Sequence, residues 1–204
     1  MYAQLLILAS FVIASYQDVK DRAVSDLVWI PAAAGAGYVL YSFYASGFFG
    51  FEFFLVKFAL VGGVALAFTL LGGIGQADGI AIAFIAADPY VLSPLAPLVG
   101  TAVVALGHIG YEFSRGNVKK KTIPMAQFLR EQRWIPKAIV SDGATTQVST
   151  DVNVARDEVE KADKPDASVV VRYGVPTVAY LGIGYAAYLL YLALFNYGVF
   201  AALP

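Results

Sequence analysis

The chain has 204 residues, of which 59% are hydrophobic and 14% are charged, and its mean hydropathy is +0.67. A soluble domain carries about a quarter of its residues as charges, so this composition predicts a membrane protein in contact with the lipid bilayer. With 14 basic and 15 acidic residues, one histidine and no cysteine, it excludes a general attraction to nucleic acid, disulfides, thiol catalysis and a histidine-rich zinc site.

Long stretches without charged residues predict the membrane helices. About 20 apolar residues are needed to cross a hydrocarbon layer about 30 Å thick. The first stretch is interpreted as a retained helix and not as a secretory signal, because it lacks a basic start and Asp18 follows it directly. We predict six spans, of which the fourth is the shortest: 2–17, 27–46, 52–72, 78–90, 94–111 and 175–200.

The predicted fold is an all-α polytopic membrane protein with a small cytoplasmic subdomain. Residues 1–111 contain the first five helices and the candidate site, 112–174 form the subdomain, and 175–204 form the last helix. Within the subdomain, the apolar spacing over 125–135 predicts a short interfacial helix, and alternating valines over 146–154 predict some β-structure.

The positions of lysine and arginine predict the orientation, because cytoplasmic loops hold the excess of these residues. Of the 14 basic residues, 13 lie in the two loops 18–26 and 112–174. Six crossings put both loops in the cytoplasm, so a multi-pass plasma-membrane protein with both termini outside is predicted. The exception, Lys57, is predicted near the outer end of the third helix, where its side chain reaches the lipid headgroups.

Two aspartates at the predicted cytoplasmic edge are candidate catalytic residues. Asp18 follows the first helix, and Asp78 follows a glycine-rich stretch at 72–75. Two carboxylates that share one proton can hydrolyse a peptide bond, because the ionised one activates water and the protonated one donates to the carbonyl oxygen. The residues alone also allow simpler roles, namely an N-cap for Asp78 and a charged helix flank for Asp18.

The stretch after the first helix, DVKDRAVSDL at 18–27, resembles a motif of the GxGD-type membrane aspartic peptidases and, among them, of the archaeal preflagellin and prepilin peptidases. Asp18 falls on the first catalytic aspartate of that motif, and Arg22 falls on its basic position. Ser25 and Asp26 replace the usual Pro-Asn pair of the family. This difference lies outside the catalytic position.

A second stretch, GQAD at 75–78, is similar to the Gly-x-Gly-Asp signature of the same family. Asp78 falls on the second catalytic aspartate and Gly75 on the first glycine, whereas Ala77 replaces the second glycine by another small residue. A third and looser similarity relates 174–182 to the start of the family's last helix, which contains a proline.

The resemblance implies an aspartic endopeptidase that removes the short basic leader from archaellin or type IV pilin-like precursors at the cytoplasmic face. It implies no cofactor and no metal, and the lack of cysteine predicts peptidase activity without the N-methylation of many bacterial relatives. The expected partners are precursors with a basic leader and an apolar N-terminal helix, together with the bilayer, and not nucleic acid. Asp21 and Asp26 are candidates for attracting the basic leader, and a solvated helix flank is an equal alternative for both.

Three alternatives stay open at this point. A short bacterial pilus-assembly peptidase would use the same chemistry. A small transporter or channel subunit would use Asp18, Asp78 and His108 as a polar pathway, although a structural role is the commoner one for a single histidine. An inert membrane scaffold would need none of them. Serine and zinc intramembrane proteases are disfavoured, because neither Gly-x-Ser-x-Gly nor His-Glu-x-x-His occurs in the sequence.

Overall fold

The structure is a computed structural model that describes residues 2–46, 48–71, 74–90, 94–131, 133–141, 143–149, 152–162 and 166–195. Within these ranges the chain is mostly helical and contains a small antiparallel sheet. The helices are α1 (Tyr2–Asp21), α2 (Ile30–Ser46), α3 (Phe48–Leu70), α4 (Gln76–Ala86), α5 (Leu95–Ser114), α6 (Met125–Arg130), α7 (Val152–Lys161) and α8 (Thr177–Phe195). The strands are β1 (Lys121–Pro124), β2 (Trp134–Ser141), β3 (Ala144–Gln147) and β4 (Ser168–Tyr173).

Among the described residues, five helices are long and apolar enough to cross a membrane: Tyr2–Asp21, Asp26–Ser46, Gly50–Leu70, Leu95–Ser114 and Thr177–Phe195. The second begins with a 3₁₀ turn at Asp26–Trp29. The predicted fourth span is instead α4, whose 11 residues rise about 16 Å, roughly half of the hydrocarbon thickness. By length, five of the six predicted spans are therefore found among the described residues. The orientation was derived by assuming six crossings, so it stays a prediction.

The structure corrects the ends of two predicted helices. The helix predicted over 2–17 continues to Asp21, so Asp18 lies within its last turns and not beyond its end. The helix predicted over 78–90 ends at Ala86, because Pro89 cannot continue it and the Asp88 carboxylate binds the backbone N–H of Tyr90 at 3.0 Å in a turn of the kind that aspartate favours. The part of the predicted last helix after residue 195 lies outside the described residues.

The chain forms two compact units. The first, which we call the helical unit, consists of Met1–Tyr16, Val24–Ala105 and Thr177–Pro204. The second, which we call the mixed unit, consists of Gln17–Ala23 and Leu106–Pro176. The last turns of α1, including Asp18, therefore belong to the mixed unit, whereas Asp78 belongs to the helical unit.

Aromatic residues from several helices form the centre of the helical unit. Phe11 of α1 is fully buried, and its ring centroid lies 5.6 Å from that of Trp29 and 5.4 Å from that of Tyr185 in α8. Trp29 in turn stacks on Phe84 of α4 at 5.6 Å. Such ring pairs add directional contacts to the area that the helices bury, and they attach the short α4 to its longer neighbours.

A buried polar cluster lies beside this aromatic core, with Asp88 at its centre. Asp88 is 0% exposed, and Lys57 of α3 donates to its backbone carbonyl and, at 3.0 Å, to that of Tyr90. The prediction that Lys57 reaches the headgroups is therefore wrong, since its side chain turns inward and is only 9% exposed. The carboxylate accepts four hydrogen bonds: from Gln4 Nε2 at 2.9 Å, the Tyr185 hydroxyl at 2.9 Å, the Tyr90 N–H at 3.0 Å and the Tyr188 hydroxyl at 3.5 Å.

The mixed unit contains a four-stranded antiparallel sheet in the order β1-β4-β2-β3. The predicted interfacial helix is found as α6, but Met125 and Phe128 are each only 4% exposed and pack in the core of this unit with Trp134. Of the β-structure predicted over 146–154, only the end of β3 is found, and a helix begins at Val152. The charged residues that follow belong to this helix as far as Lys161. Ala155 and Val159 lie one turn apart and are both buried, so the helix has an apolar side.

Removing the Asp88 carboxylate is expected to destabilise the protein strongly. Three side-chain donors would stay buried without their acceptor, and the Lys57 ammonium group would lose a nearby negative charge. We expect Asp88→Ala to lower the free energy of unfolding by about 3 kcal/mol or more. Glu52→Ala, on the exposed part of α3, serves as the control and should change it by less than about 0.5 kcal/mol. Thermal unfolding in detergent measures both, and equal midpoints for the two variants would contradict the assignment.

A surface carboxylate stabilises the mixed unit in its charged form. Glu131 accepts hydrogen bonds from Gln127 Nε2 at 3.0 Å, Trp134 Nε1 at 2.7 Å, and Arg133 Nη2 at 2.7 Å. The hydrogen bonds from Gln127 and Trp134, with that from Arg133, lower the pKa of Glu131 to about 2. Its ordinary value is 4.5, so this stabilisation is complete above about pH 4.5 and is lost as the pH falls towards 2.

Glu131→Gln should therefore destabilise the mixed unit near neutral pH and lose this effect in acid. We expect a deficit of about 1 kcal/mol at pH 7, reduced by solvent screening, that narrows between pH 4.5 and pH 2. Trp134 fluorescence in a Trp29→Phe background reports unfolding of this unit, and Asp157→Asn on the exposed face of α7 is the control. A deficit that is independent of pH would contradict the role of the charge.

Candidate functional site

Asp18 lies near the end of α1, where an apolar helix enters the mixed unit. Only 7% of this residue is exposed. Its backbone carbonyl accepts two hydrogen bonds from Arg22, one from the backbone N–H at 3.2 Å and one from Nη1 at 3.2 Å. An aspartate buried at the end of an apolar helix is energetically costly, and such residues commonly have a functional role.

Arg22 has an unusual backbone conformation that ends α1. Its φ of 54 makes it the one residue other than glycine with a positive φ among those described. This left-handed conformation costs an ordinary residue about 1 kcal/mol or more. The guanidinium lies 5.7 Å from the centre of the Tyr173 ring. The Arg22 side chain therefore lies between the Asp18 carbonyl and the end of β4.

Asp78 lies in the first turn of α4, three residues after Gly75. Gly75 is the N-cap, with no side-chain cap hydrogen bond, and its carbonyl accepts from the Gly79 N–H at 3.1 Å. A Cβ atom on Gly75 would lie 3.1 Å from Asp78 Oδ2, a tight contact. The first glycine of the motif therefore leaves room for the half-buried carboxylate to fold back over the start of the helix.

Gly79 is a residue of this region that the sequence analysis did not single out. It is buried, and a Cβ atom there would overlap Thr69 Oγ1 of α3 and lie 3.4 Å from the Ala65 carbonyl oxygen. The absence of a side chain thus allows α3 and α4 to approach closely directly beside Asp78. Its place immediately after the aspartate, in a stretch already rich in glycine, was the available signal.

The two acidic residues predicted to attract the basic leader have different surroundings. Asp21 is half-buried in the mixed unit, and its negative charge, with that of Glu160, opposes the lowering of the Arg156 pKa that burial causes. Asp26 is exposed. It lines a groove of about 360 Å³ whose other lining residues are Trp29, Ile30, Ala33, Gln76, Ile80 and Phe84. Because Asp21 lies near a cation of its own chain, Asp26 is the better placed of the two to bind a basic ligand.

His108, the histidine of the transporter alternative, lies within the mixed unit. Its Nε2 lies 3.7 Å from Glu112 Oε1, and its ring lies 6.2 Å from the Tyr173 ring. Glu112 also accepts a hydrogen bond from Asn117 Nδ2 at 2.6 Å. These contacts give His108 partners within its own unit, as expected of the structural role that is common for a single histidine.

The structure brings Arg22 to the backbone of Asp18 and Gly75 close to the carboxylate of Asp78. Asp18 belongs to the mixed unit and Asp78 to the helical unit, so the pairing of the two carboxylates stays a prediction. Ala77, the replacement for the second motif glycine, is half-buried beside Asp78. Among the described residues, no three or more His, Cys, Asp or Glu side chains form a group that could hold a metal ion.

None of the models of protein families matches the chain, and a search of curated protein sequences also finds no match.

Substituting Gly79 tests whether the close approach of α3 and α4 matters. Gly79→Ala should lower the free energy of unfolding by about 1–3 kcal/mol, because the added methyl group overlaps Thr69. Gly63→Ala is the matched control, since a Cβ atom at that position in α3 meets nothing within 4 Å. Thermal unfolding in detergent compares the two variants. If Gly79→Ala were as stable as Gly63→Ala, the contact would not restrict the packing.

Proposed function

We propose that this protein is a membrane-embedded aspartic endopeptidase that uses Asp18 and Asp78 to activate water. One observation carries the proposal: the two motif aspartates lie at the ends of apolar helices, each close to another residue of its motif. Asp18 is 7% exposed with its carbonyl bound by Arg22, and Asp78 Oδ2 lies against Gly75. Carboxylates kept at membrane-helix ends, at an energetic cost, are typical of functional sites.

The proposed reaction needs one ionised and one protonated carboxyl group. The ionised aspartate takes a proton from water, and the resulting hydroxide adds to the carbonyl carbon of the scissile peptide bond. The protonated aspartate donates its proton to the carbonyl oxygen. When the C–N bond breaks, the proton taken from water passes to the leaving amine. A hydroxyl proton of the tetrahedral intermediate returns to the other aspartate as the new carboxyl C=O forms, so the two carboxyl groups return to their starting states. No redox partner takes part.

The proposed substrates are precursors of the archaellin or type IV pilin kind, which carry a short basic leader before an apolar helix. The five membrane-length helices fit an enzyme that works at a bilayer, and cleavage would take place at the cytoplasmic face of the plasma membrane. Asp26 supports this choice, because an exposed carboxylate beside an apolar groove suits a ligand with a positive charge next to apolar residues. Neither a metal nor a cofactor is part of the proposed reaction.

Cleavage of a precursor tests the proposal directly. Detergent-solubilised protein is incubated with a tagged precursor that has a basic leader and an apolar helix, and loss of the leader is read by mass spectrometry. We expect wild type to cleave, and Asp18→Asn and Asp78→Asn each to lose at least about 100-fold in rate, because each change removes one partner of the shared proton. Asp18→Glu and Asp78→Glu should also be severely impaired, because each shifts a carboxylate by about 1 Å.

Asp157→Asn is the matched control, because Asp157 is an exposed aspartate on α7. This variant should cleave the precursor like wild type. The proposal fails if folded wild type cleaves none of several such precursors, or if either Asp→Asn variant keeps its activity. Flux in proteoliposomes that persists after Asp18→Asn and disappears after His108→Ala would favour the transporter. Silent Asp→Asn variants in cells, together with no flux, would favour the scaffold.

A further inference from the structure

The side chain of Arg22 makes two contacts in the mixed unit that the proposed reaction does not by itself require. Nη1 donates to the Asp18 carbonyl at 3.2 Å, and the guanidinium faces the ring of Tyr173 with a distance of 5.7 Å to its centre. Asp18 is four positions away in sequence, whereas Tyr173 is the last residue of β4. One side chain thus connects the end of α1 to the sheet.

Tyr173 is a buried partner for this contact. It is 7% exposed, and its ring lies 6.1 Å from the ring of Trp134 and 6.2 Å from that of His108. Burial raises the pKa of the Tyr173 phenol above its ordinary value, and Arg22 opposes this shift through its charge and through a side-chain hydrogen bond. The phenol is therefore neutral at physiological pH, and its ring face can attract a guanidinium group.

The backbone at Arg22 is the reason that the side chain can make both contacts. A helical conformation would continue α1 and direct the side chain along the helix. The left-handed φ of 54 instead turns the chain and lets the guanidinium fold back on the Asp18 carbonyl. Glycine adopts this conformation without cost, so the presence of arginine at this position is better explained by its side chain than by the turn.

We propose that Arg22 and Tyr173 are positioning residues for Asp18: the guanidinium, placed over the Tyr173 ring, holds the last turns of α1 so that the carboxylate points in the direction needed for catalysis. This inference rests on the proposed peptidase function. It makes the sheet of the mixed unit part of the catalytic apparatus, because Tyr173 is supplied by β4. Both residues act through the end of α1 in this proposal.

The absence of cysteine in the sequence permits a test that does not depend on activity. Val19→Cys puts a single thiol beside Asp18 at a residue that is 56% exposed, and a nitroxide attached there reports the mobility of the end of α1 in an electron paramagnetic resonance spectrum. In this background we would compare Arg22→Gly, which keeps the turn and removes the side chain, with Tyr173→Leu, which removes the ring face.

We expect both variants to increase the mobility of the label, and to lower kcat for precursor cleavage by about 10- to 100-fold while KM changes less than about twofold, because misplacing a catalytic group by about 1 Å has an effect of this size. Tyr173→Phe keeps the ring face and should stay within about threefold of wild type. Arg172→Ala is the control, because it changes an exposed neighbour on the same strand. It should leave both readouts unchanged.

The inference is overturned if Arg22→Gly leaves mobility and kcat at the control values, or if Tyr173→Phe is impaired as strongly as Tyr173→Leu. A higher KM with unchanged kcat would also overturn it, since that pattern indicates substrate binding. If the wild-type background cleaves no precursor, the proposed function fails on its own. The spectra then still show whether Arg22 and Tyr173 order the end of α1.

Discussion

A carboxylate can lie among apolar helices only if the protein itself supplies its hydrogen-bond donors, and the helical unit satisfies this constraint at Asp88. Gln4 of α1 and Tyr185 of α8 bind the carboxylate, while Lys57 of α3 binds the carbonyl of the same residue. Apolar burial brings helices together without fixing their direction. Hydrogen bonds from three helices to one residue are directional. They therefore fix the position of the end of α4 relative to its neighbours.

Asp18 and Asp78 are carboxylates in a different setting, and this contrast supports a different role for them. Asp88 is fully buried and its side-chain donors come from α1 and α8, whereas Asp78 is half-buried at a helix start and Asp18, which is 7% exposed, lies in the last turns of α1. A catalytic carboxyl group must change its protonation state during each turnover. We propose that role for Asp18 and Asp78, which lie at the ends of helices.

Charge-free stretches predicted the five long helices well, because the need to cover about 30 Å of hydrocarbon leaves a clear mark on a sequence. The short α4 was overestimated, since apolar residues continue past Ala86 to the turn at Asp88. Most of the sheet was missed: β1 has four residues, and a strand of that length gives little periodicity. The apolar residues at the start of β2 were included in the predicted interfacial helix over 125–135. In the site, the two motifs include Arg22 and Gly75, whose contacts with Asp18 and Asp78 span four residues or fewer. The contact of Arg22 with Tyr173 and the inward turn of Lys57 depend on partners far along the chain, which no local pattern encodes.

The donors around Asp88 also set an order of assembly. Gln4 lies 84 positions before Asp88, and Tyr185 lies 97 positions after it. While the ribosome is still making the segments between α4 and α8, the carboxylate already has Gln4 and lacks both tyrosine hydroxyls. The helical unit can therefore reach its lowest free energy only after α8 has joined it, because an intermediate that ends before this helix leaves the Asp88 carboxylate without two of its donors. The addition of α8 is thus a late step that the chain needs in order to fix the end of α4.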